Sequence, residues 1–325
     1  MDTVMEVRNL KKYYLPSGPG LFGKNRKLLH ALDGVSLSIR RGEILGVVGE
    51  SGCGKSTLGR CLLRLVDVTS GEIFFEGTDI TRKSRKELKP YRRNMQMIFQ
   101  NPFSSFNPRM KIGDSLREVG HVYGMDRKTA MDGILKLLDY IRLPEDVLGR
   151  SPAELSGGQL QRLAVARALL LNPSFIVADE PVSALDVSVQ AQILNLIVDL
   201  REQFRMTLLF ISHEMTVVEH ICDTVAVMYL GKIVELAPTR LLFKELLHPY
   251  TQALMSAIPK ADPEASSERI LLSGDIPNAM ELPRGCRFAS RCRSCAGVCT
   301  EREPELTDTG GGHFVACHKV YPCGG

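Results

Sequence analysis

Tryptophan is absent and aromatic residues make up only 6% of the 325-residue chain, which argues against ring-lined surfaces that stack single-stranded nucleic acid. No uninterrupted apolar run approaches the ~18 to 20 residues that span a bilayer. Residues 1–10 lack the basic flank and apolar centre of a secretion signal. From these two absences the chain is expected to stay in the cytosol. Net charge is scarce too: 41 basic against 37 acidic side chains leave +4, too little to draw nucleic acid by long-range attraction. What remains is an ordinary globular composition, 44% hydrophobic and 24% charged, which excludes wholesale disorder and a fibrous repeat. The length exceeds the ~250 to 300 residues at which single cores stop growing, so two domains, or one with an appendage, are expected.

Short apolar or β-branched runs at 4–10, 35–39, 43–48, 72–75, 95–99, 174–178, 207–211 and 224–229 read as strands. Most are separated by ten or more residues of helical character, the pattern of an α/β sheet covered by helices. Residues 16–30, rich in Pro and Gly and carrying Lys24, Arg26 and Lys27, read as a surface loop. Between Gln100 and Ser156 the strands stop, which predicts a helical subdomain over about 101–165. After Pro259 the composition shifts to few apolar runs and many Pro, Gly and Arg. The expected organisation is a sheet domain over 1–247 and a small Cys-rich domain over 248–325 that needs a staple.

Gly49, Glu50, Ser51, Gly52, Cys53, Gly54, Lys55, Ser56 and Thr57 form a G-x4-G-K-S/T sequence between a strand and an apolar helix, the context a phosphate loop requires. Glycines let successive backbone N–H groups turn inward around a phosphate, at a helix start that carries about half a positive charge. Lys55 is placed to reach the β- and γ-phosphates, and Ser56 to ligate magnesium. Ser156, Gly157, Gly158 and Gln159 open a second helical stretch with a hydroxyl and unshielded amides, another anion cradle. Asp179 and Glu180 end an apolar strand, at the edge where α/β sheets bind ligands. Asp179 suits a magnesium-bound water, and Glu180 suits a proton acceptor for an attacking water. Gln100 and His213 follow strands ending at the same predicted edge.

These ordered motifs resemble the ATP-binding-cassette ATPases over roughly 1–247. The resemblance implies that Gln100 is a coupling and magnesium-side glutamine, that 155–159 is the signature, and that 183–186 is a dimer-contacting loop. It likewise implies that His213 is a switch histidine and that Tyr14 stacks on adenine, with Tyr13 as a competitor. It implies ATP and Mg2+ as ligands and a head-to-tail dimer, the signature of one subunit closing on nucleotide held by the other. Residues 95–109, 180–190 and 248–251 are similar to the dipeptide, oligopeptide and nickel importers. Membership there implies a second, different cassette subunit, two transmembrane permease subunits and an extracytoplasmic solute-binding protein, with the chain peripheral on the cytoplasmic face of the membrane. Leu160 departs from the basic or polar residue common after the signature, which bears on a peripheral contact only. The alternatives are a nickel or other solute importer, a cytosolic cassette protein acting on ribosomes or DNA, and a P-loop kinase. The second anion cradle disfavours the kinase, and no nucleic-acid partner is expected.

Six of nine cysteines fall from Cys286 to Cys323. In a reducing compartment such a cluster points to metal before disulfides. Cys286, Cys292, Cys299 and Cys317 supply four thiols near Arg287, Arg291 and Arg293, cations expected to lower thiolate pKa values. Spacing alone leaves iron–sulfur, zinc (through Cys292, Cys295, Cys317 and His318) and free thiols open. The similarity to peptide-importer tails implies a [4Fe-4S] cluster on Cys286, Cys292, Cys299 and Cys317, leaving Cys295 and Cys323 outside.

Overall fold

The structure, a computed structural model, describes residues 2–15, 27–258, 270–272, 274 and 277–320. Most of the loop predicted over 16–30, and Cys323, lie outside them. The chain divides into two compact units, one made of Met1–Met5, Ser38–Ile44 and Phe75–Ile211, the other of Glu6–Leu37, Leu45–Phe74 and Ser212–Gly325.

The first unit is built on three parallel strands, Met95–Ile98, Phe175–Asp179 and Thr207–Ile211, paired Met95 to Phe175, Ile98 to Ala178 and Asp179 to Ile211. The latter two strands are buried along their whole length, which is why they read as continuous apolar runs instead of alternating ones. From Gln100 to Ser156 the described chain contains helices and no strand. Ile112–Val122 packs on Arg127–Tyr140, whose start is fixed by the Asp126 carboxylate accepting the Lys128 and Thr129 N–H groups. Helix Gly157–Leu169 approaches Val187–Phe204 closely enough that a Cβ on Gly158 would lie 2.6 Å from Val189 Cγ1. Leu160 is fully buried, so the departure from the signature pattern falls in the core and not at a peripheral contact.

In the second unit, strand Ile44–Val48 pairs in parallel with Thr224–Tyr229, which turns at Leu230 and Gly231 into antiparallel Lys232–Pro238. The hairpin residues both have positive φ, 42° and 76°, the geometry of a tight hairpin turn. Lys232–Pro238 pairs with Phe314–Val315, and that strand with Thr307–Asp308.

The tail therefore does not form the separate Cys-rich domain expected over 248–325. It shares a unit with the predicted phosphate loop and pairs strand Phe314–Val315 with Lys232–Pro238. Three features hold it. Phe288 is buried in a cluster with Tyr229 at 5.3 Å and Tyr250 at 5.4 Å between ring centroids, a burial worth ~1.5 to 3 kcal/mol per large side chain. Glu235, with no exposed surface, accepts the Leu247 N–H at 2.9 Å and the His248 N–H at 3.1 Å and pairs with His313 Nε2 at 2.8 Å. His248 then caps helix Pro249–Ser256, its Nδ1 accepting the Tyr250 N–H at 3.1 Å. Among the described residues no helix is long and apolar enough to cross a membrane.

Candidate functional site

In the second unit the loop from Gly49 to Thr57 leaves a wholly buried strand and enters helix Lys55–Leu62. Two of its glycines are required by space and by backbone: at Gly49 (φ 152°) a Cβ would lie 2.2 Å from Met228 O, and at Gly54 (φ 110°) 2.3 Å from Ala31 O. Gly54 caps the helix without any side-chain acceptor, and a helix start of this kind suits an anion. Lys55 is buried, and its ammonium donates to Gly49 O at 2.6 Å and Glu50 O at 3.1 Å. The cation is thereby folded back over the loop. Ser56 opens the same helix. Cys53 O accepts the Gly231 N–H at 2.8 Å, and Gly231 O accepts the Asp33 N–H at 2.9 Å, tying the loop to the hairpin and to strand Leu29–Arg40.

Further contacts reach this loop from the tail. Tyr250 Oη accepts the Glu50 N–H at 2.8 Å. Arg291 donates from Nη1 to Glu50 Oε2 at 2.7 Å and from Nη2 to Glu50 Oε1 at 3.0 Å. Arg287 pairs with Asp33, donates to Leu230 O, and reaches Glu303 Oε1 at 3.1 Å. The Tyr13 hydroxyl donates to Asp33 Oδ1 at 2.5 Å, and its ring packs against His30 at 4.1 Å. Burial, helped by Asp33, pushes the Tyr13 phenol up to about 12, so it stays a donor. Tyr14 carries the Lys12 ammonium over its ring at 4.7 Å. His213 is half-exposed, 3.8 Å from Glu214 Oε1.

In the first unit Asp179 is the buried last residue of its strand. Glu180 follows at φ 47°, its N–H donating to Ile211 O at 3.0 Å. Left-handed backbone at a residue other than glycine stores strain that concentrates at functional positions. Gln100 Nε2 donates to Glu180 Oε2 at 3.1 Å and to Ser183 Oγ at 3.3 Å. The predicted coupling glutamine and proton acceptor are thus in direct contact. Ser156 caps helix Gly157–Leu169 reciprocally, its Oγ accepting the Gln159 N–H at 3.3 Å while Gln159 Oε1 accepts the Ser156 N–H at 3.0 Å. In the cap the hydroxyl accepts and keeps its O–H to donate, beside the Gly157 and Gly158 amides, which fall outside the intrahelical ladder.

Cys286, Cys292, Cys299 and Cys317 line one pocket with His248 and His318. The Cys286 N–H donates to Cys299 O at 2.7 Å. Cys286 and Cys292 are not lowered as the sequence suggested, and Arg287 and Arg291 beside them are engaged by Asp33, Glu303 and Glu50. Burial, with neighbouring sulfurs, pushes Cys286 up to about 11 and raises Cys292. Among the described residues no three His, Cys, Asp or Glu side chains are placed to hold a single metal ion. Of the zinc set, Cys295 is exposed and is not among the residues that line the pocket, and His318 Nε2 is bonded to Arg302 O at 2.8 Å.

Sequence reasoning had noticed the 248–251 run and the arginines between the cysteines but missed that Tyr250, Arg287 and Arg291 serve the phosphate-loop unit. Their partners lie 200 to 254 residues away, so no local pattern announces them.

A model of the ABC transporter family matches residues 32–183, and one for the oligopeptide/dipeptide transporter C-terminal region matches 234–299. The oligopeptide transport ATP-binding protein AppF of Bacillus subtilis is 47% identical over 98% of this chain and 97% of its own length. The dipeptide transport ATP-binding protein DppF of Escherichia coli is 45% identical over 98% and 94%. Among solved structures, the ATP-binding cassette MJ0796 bound to ADP and Pi superposes with a TM-score of 0.64 at 28% identity, covering 73% of this chain and 99% of that one.

Proposed function

The chain belongs to the ABC transporter family of ATPases, and we propose that it is the ATP-hydrolysing subunit of an importer of dipeptides or oligopeptides. The observation that carries this reading is the joining, in one chain, of a match to the ABC transporter family over 32–183 to a match to the oligopeptide/dipeptide transporter C-terminal region over 234–299. Full-length similarity to an oligopeptide and a dipeptide transport subunit supports it.

In this reading the loop amides and Lys55 hold the β- and γ-phosphates, and Tyr14 or Tyr13 faces the adenine. Ser56, Asp179 and Gln100 carry the hard oxygen donors that magnesium prefers, and the bound ion would neutralise phosphate charge. Glu180, oriented by Gln100, takes a proton from the attacking water while His213 senses the terminal phosphate. Ser156, Gly157, Gly158 and Gln159 serve the nucleotide held by a second, different cassette subunit. Nucleotide favours the closed pair only by the difference in its affinity for the two states. Two permease subunits carry the peptide, delivered by an extracytoplasmic binding protein, and the chain lies peripherally on the inner face of the membrane.

The four pocket-lining cysteines suit a [4Fe-4S] cluster better than a single ion. A mononuclear thiolate site draws its sulfurs to about 2.3 Å of one point, whereas a cluster interposes four metal atoms and several sulfides. Cys286, Cys292, Cys299 and Cys317 would hold it, and it would staple a tail poor in apolar core. Purification of the tagged chain from native membranes tests the whole reading. Co-purifying permease subunits and ATP turnover stimulated by peptide-loaded binding protein are expected; ribosomes or nucleic acid with no membrane partner would overturn it.

A further inference from the structure

Glu50 places a carboxylate inside the loop that is read here as the cradle of a triphosphate. An anion at that point opposes the ligand unless it is neutralised. Arg291 neutralises it with both terminal nitrogens, in a side chain only 7% exposed, against a Glu50 side chain that is 25% exposed. Two parallel N–H bonds fix direction as well as charge. The same guanidinium lies over the Tyr229 ring at 6.0 Å, and Tyr229 packs on Tyr250, whose hydroxyl holds the Glu50 amide. Glu50 is therefore gripped at backbone and side chain by groups outside the loop. Arg287, in the same turn between Cys286 and Cys292, fixes Asp33, which holds Tyr13.

We propose that Arg291 is a positioning residue for ATP: it masks and orients Glu50, so that the turn between Cys286 and Cys292 sets the shape and charge of the phosphate loop. Arg287 performs the parallel task for Tyr13 through Asp33. The inference rests on the ATP reading above and adds to it a group that never touches nucleotide.

The charge argument predicts a rescue that a purely structural role does not. In the full-length chain, Arg291→Met exposes Glu50 to the phosphates and should weaken Mg-ATP and Mg-ADP binding by about tenfold, measured by calorimetry with thermal melts as the fold control. Arg291→Lys keeps a charge but loses the fork and should fall between. Adding Glu50→Gln to Arg291→Met removes the unmasked anion and should recover most of the affinity. In the assembled transporter the KM for ATP should rise while kcat at saturation stays within twofold. Raising salt should shrink the Arg291→Met defect, since exposed charges are screened.

Unchanged affinity in a folded Arg291→Met protein overturns the proposal, as does a Glu50→Gln partner mutation that deepens the defect. Should Arg291→Met fail to fold, Arg291→Lys still decides, because the proposal requires it to lose affinity and requires Glu50→Gln, added to Arg291→Lys, to restore it. A wild-type chain that binds no nucleotide in the same cell removes the ATP reading itself.

Discussion

Glu180→Gln alters one atom's chemistry and little else, so it isolates proton acceptance from everything around it. Glu180 sits at φ 47°, a strain that glutamate and glutamine bear alike. Its Oε2 accepts from Gln100 Nε2 at 3.1 Å, and a glutamine oxygen at that place accepts the same N–H. Neither strain nor hydrogen bond is lost, so fold stability should stay within ~0.5 kcal/mol. The amide cannot take up a proton, and kcat should fall by about 10² to 10⁴, which is roughly 3 to 5 kcal/mol of barrier. Gln100→Ala should cost less, because it removes only the donor that aims the carboxylate. In the Glu180→Gln background it should add almost nothing, since groups acting as a unit are non-additive. Steady-state and single-turnover phosphate release from the assembled transporter, with melts on each variant, gives all three numbers. Turnover within tenfold of wild type in a folded Glu180→Gln transporter refutes the proton-acceptor role. An additive double mutant refutes the positioning role of Gln100.

At Gly285 an added Cβ would lie 2.3 Å from Cys299 O and 2.7 Å from Thr300 C, so Gly285→Ala must displace the backbone that joins Cys286 to Cys299. Anaerobically purified wild type should be brown with iron bound. Gly285→Ala should lose more than half of that iron, whereas Gly297→Ala, whose Cβ meets nothing within 4 Å, should keep it. Iron unchanged in the first variant, or only zinc in the wild type, sinks the cluster reading. Asp33 provides a pH test. Burial alone would raise its pKa, but the Tyr13 hydroxyl and the Arg287 guanidinium outweigh that and bring it below the ordinary 3.8. A depressed folded-state pKa means that the stabilisation is complete above pH 3.8 and is lost as pH falls through the lower folded value. Asp33→Asn should therefore be less stable than wild type near neutrality, with the gap closing in acid; a gap constant with pH refutes the assignment.

The strand, loop and helix settings of the motifs proposed for nucleotide were legible because each is a local device. A strand, a turn that only glycine tolerates, and a helix start occur within a dozen residues, so Gly49, Lys55, Asp179 and Ser156 declare themselves without tertiary information. The strands at 207–211 and 224–229 were read to the residue for the same reason: uninterrupted apolar runs have one use in a sheet covered on both faces. Lys232–Pro238 was missed on identical logic. Its Glu235 and terminal proline break the apolar run, yet Glu235 is wholly buried because two amides and His313 converge on it, partners that lie 12 to 78 residues along the chain. A charge reads as a surface residue until its counterpart is known.

The tail failed in the same way and with larger consequence. Arg287 and Arg291 stand beside cysteines in sequence, and proximity suggested that they tune thiols; in space their guanidinium groups point at Asp33 and Glu50. Buried arginine seeks a bidentate carboxylate before a weakly accepting sulfur, so the partner is fixed by chemistry once the fold supplies it. That preference explains why the cysteine region is not an independent module. A turn closed by Cys286 and Cys292 presents two cations into the unit that holds the phosphate loop. Any group that holds those cysteines together therefore also holds Arg291 against Glu50.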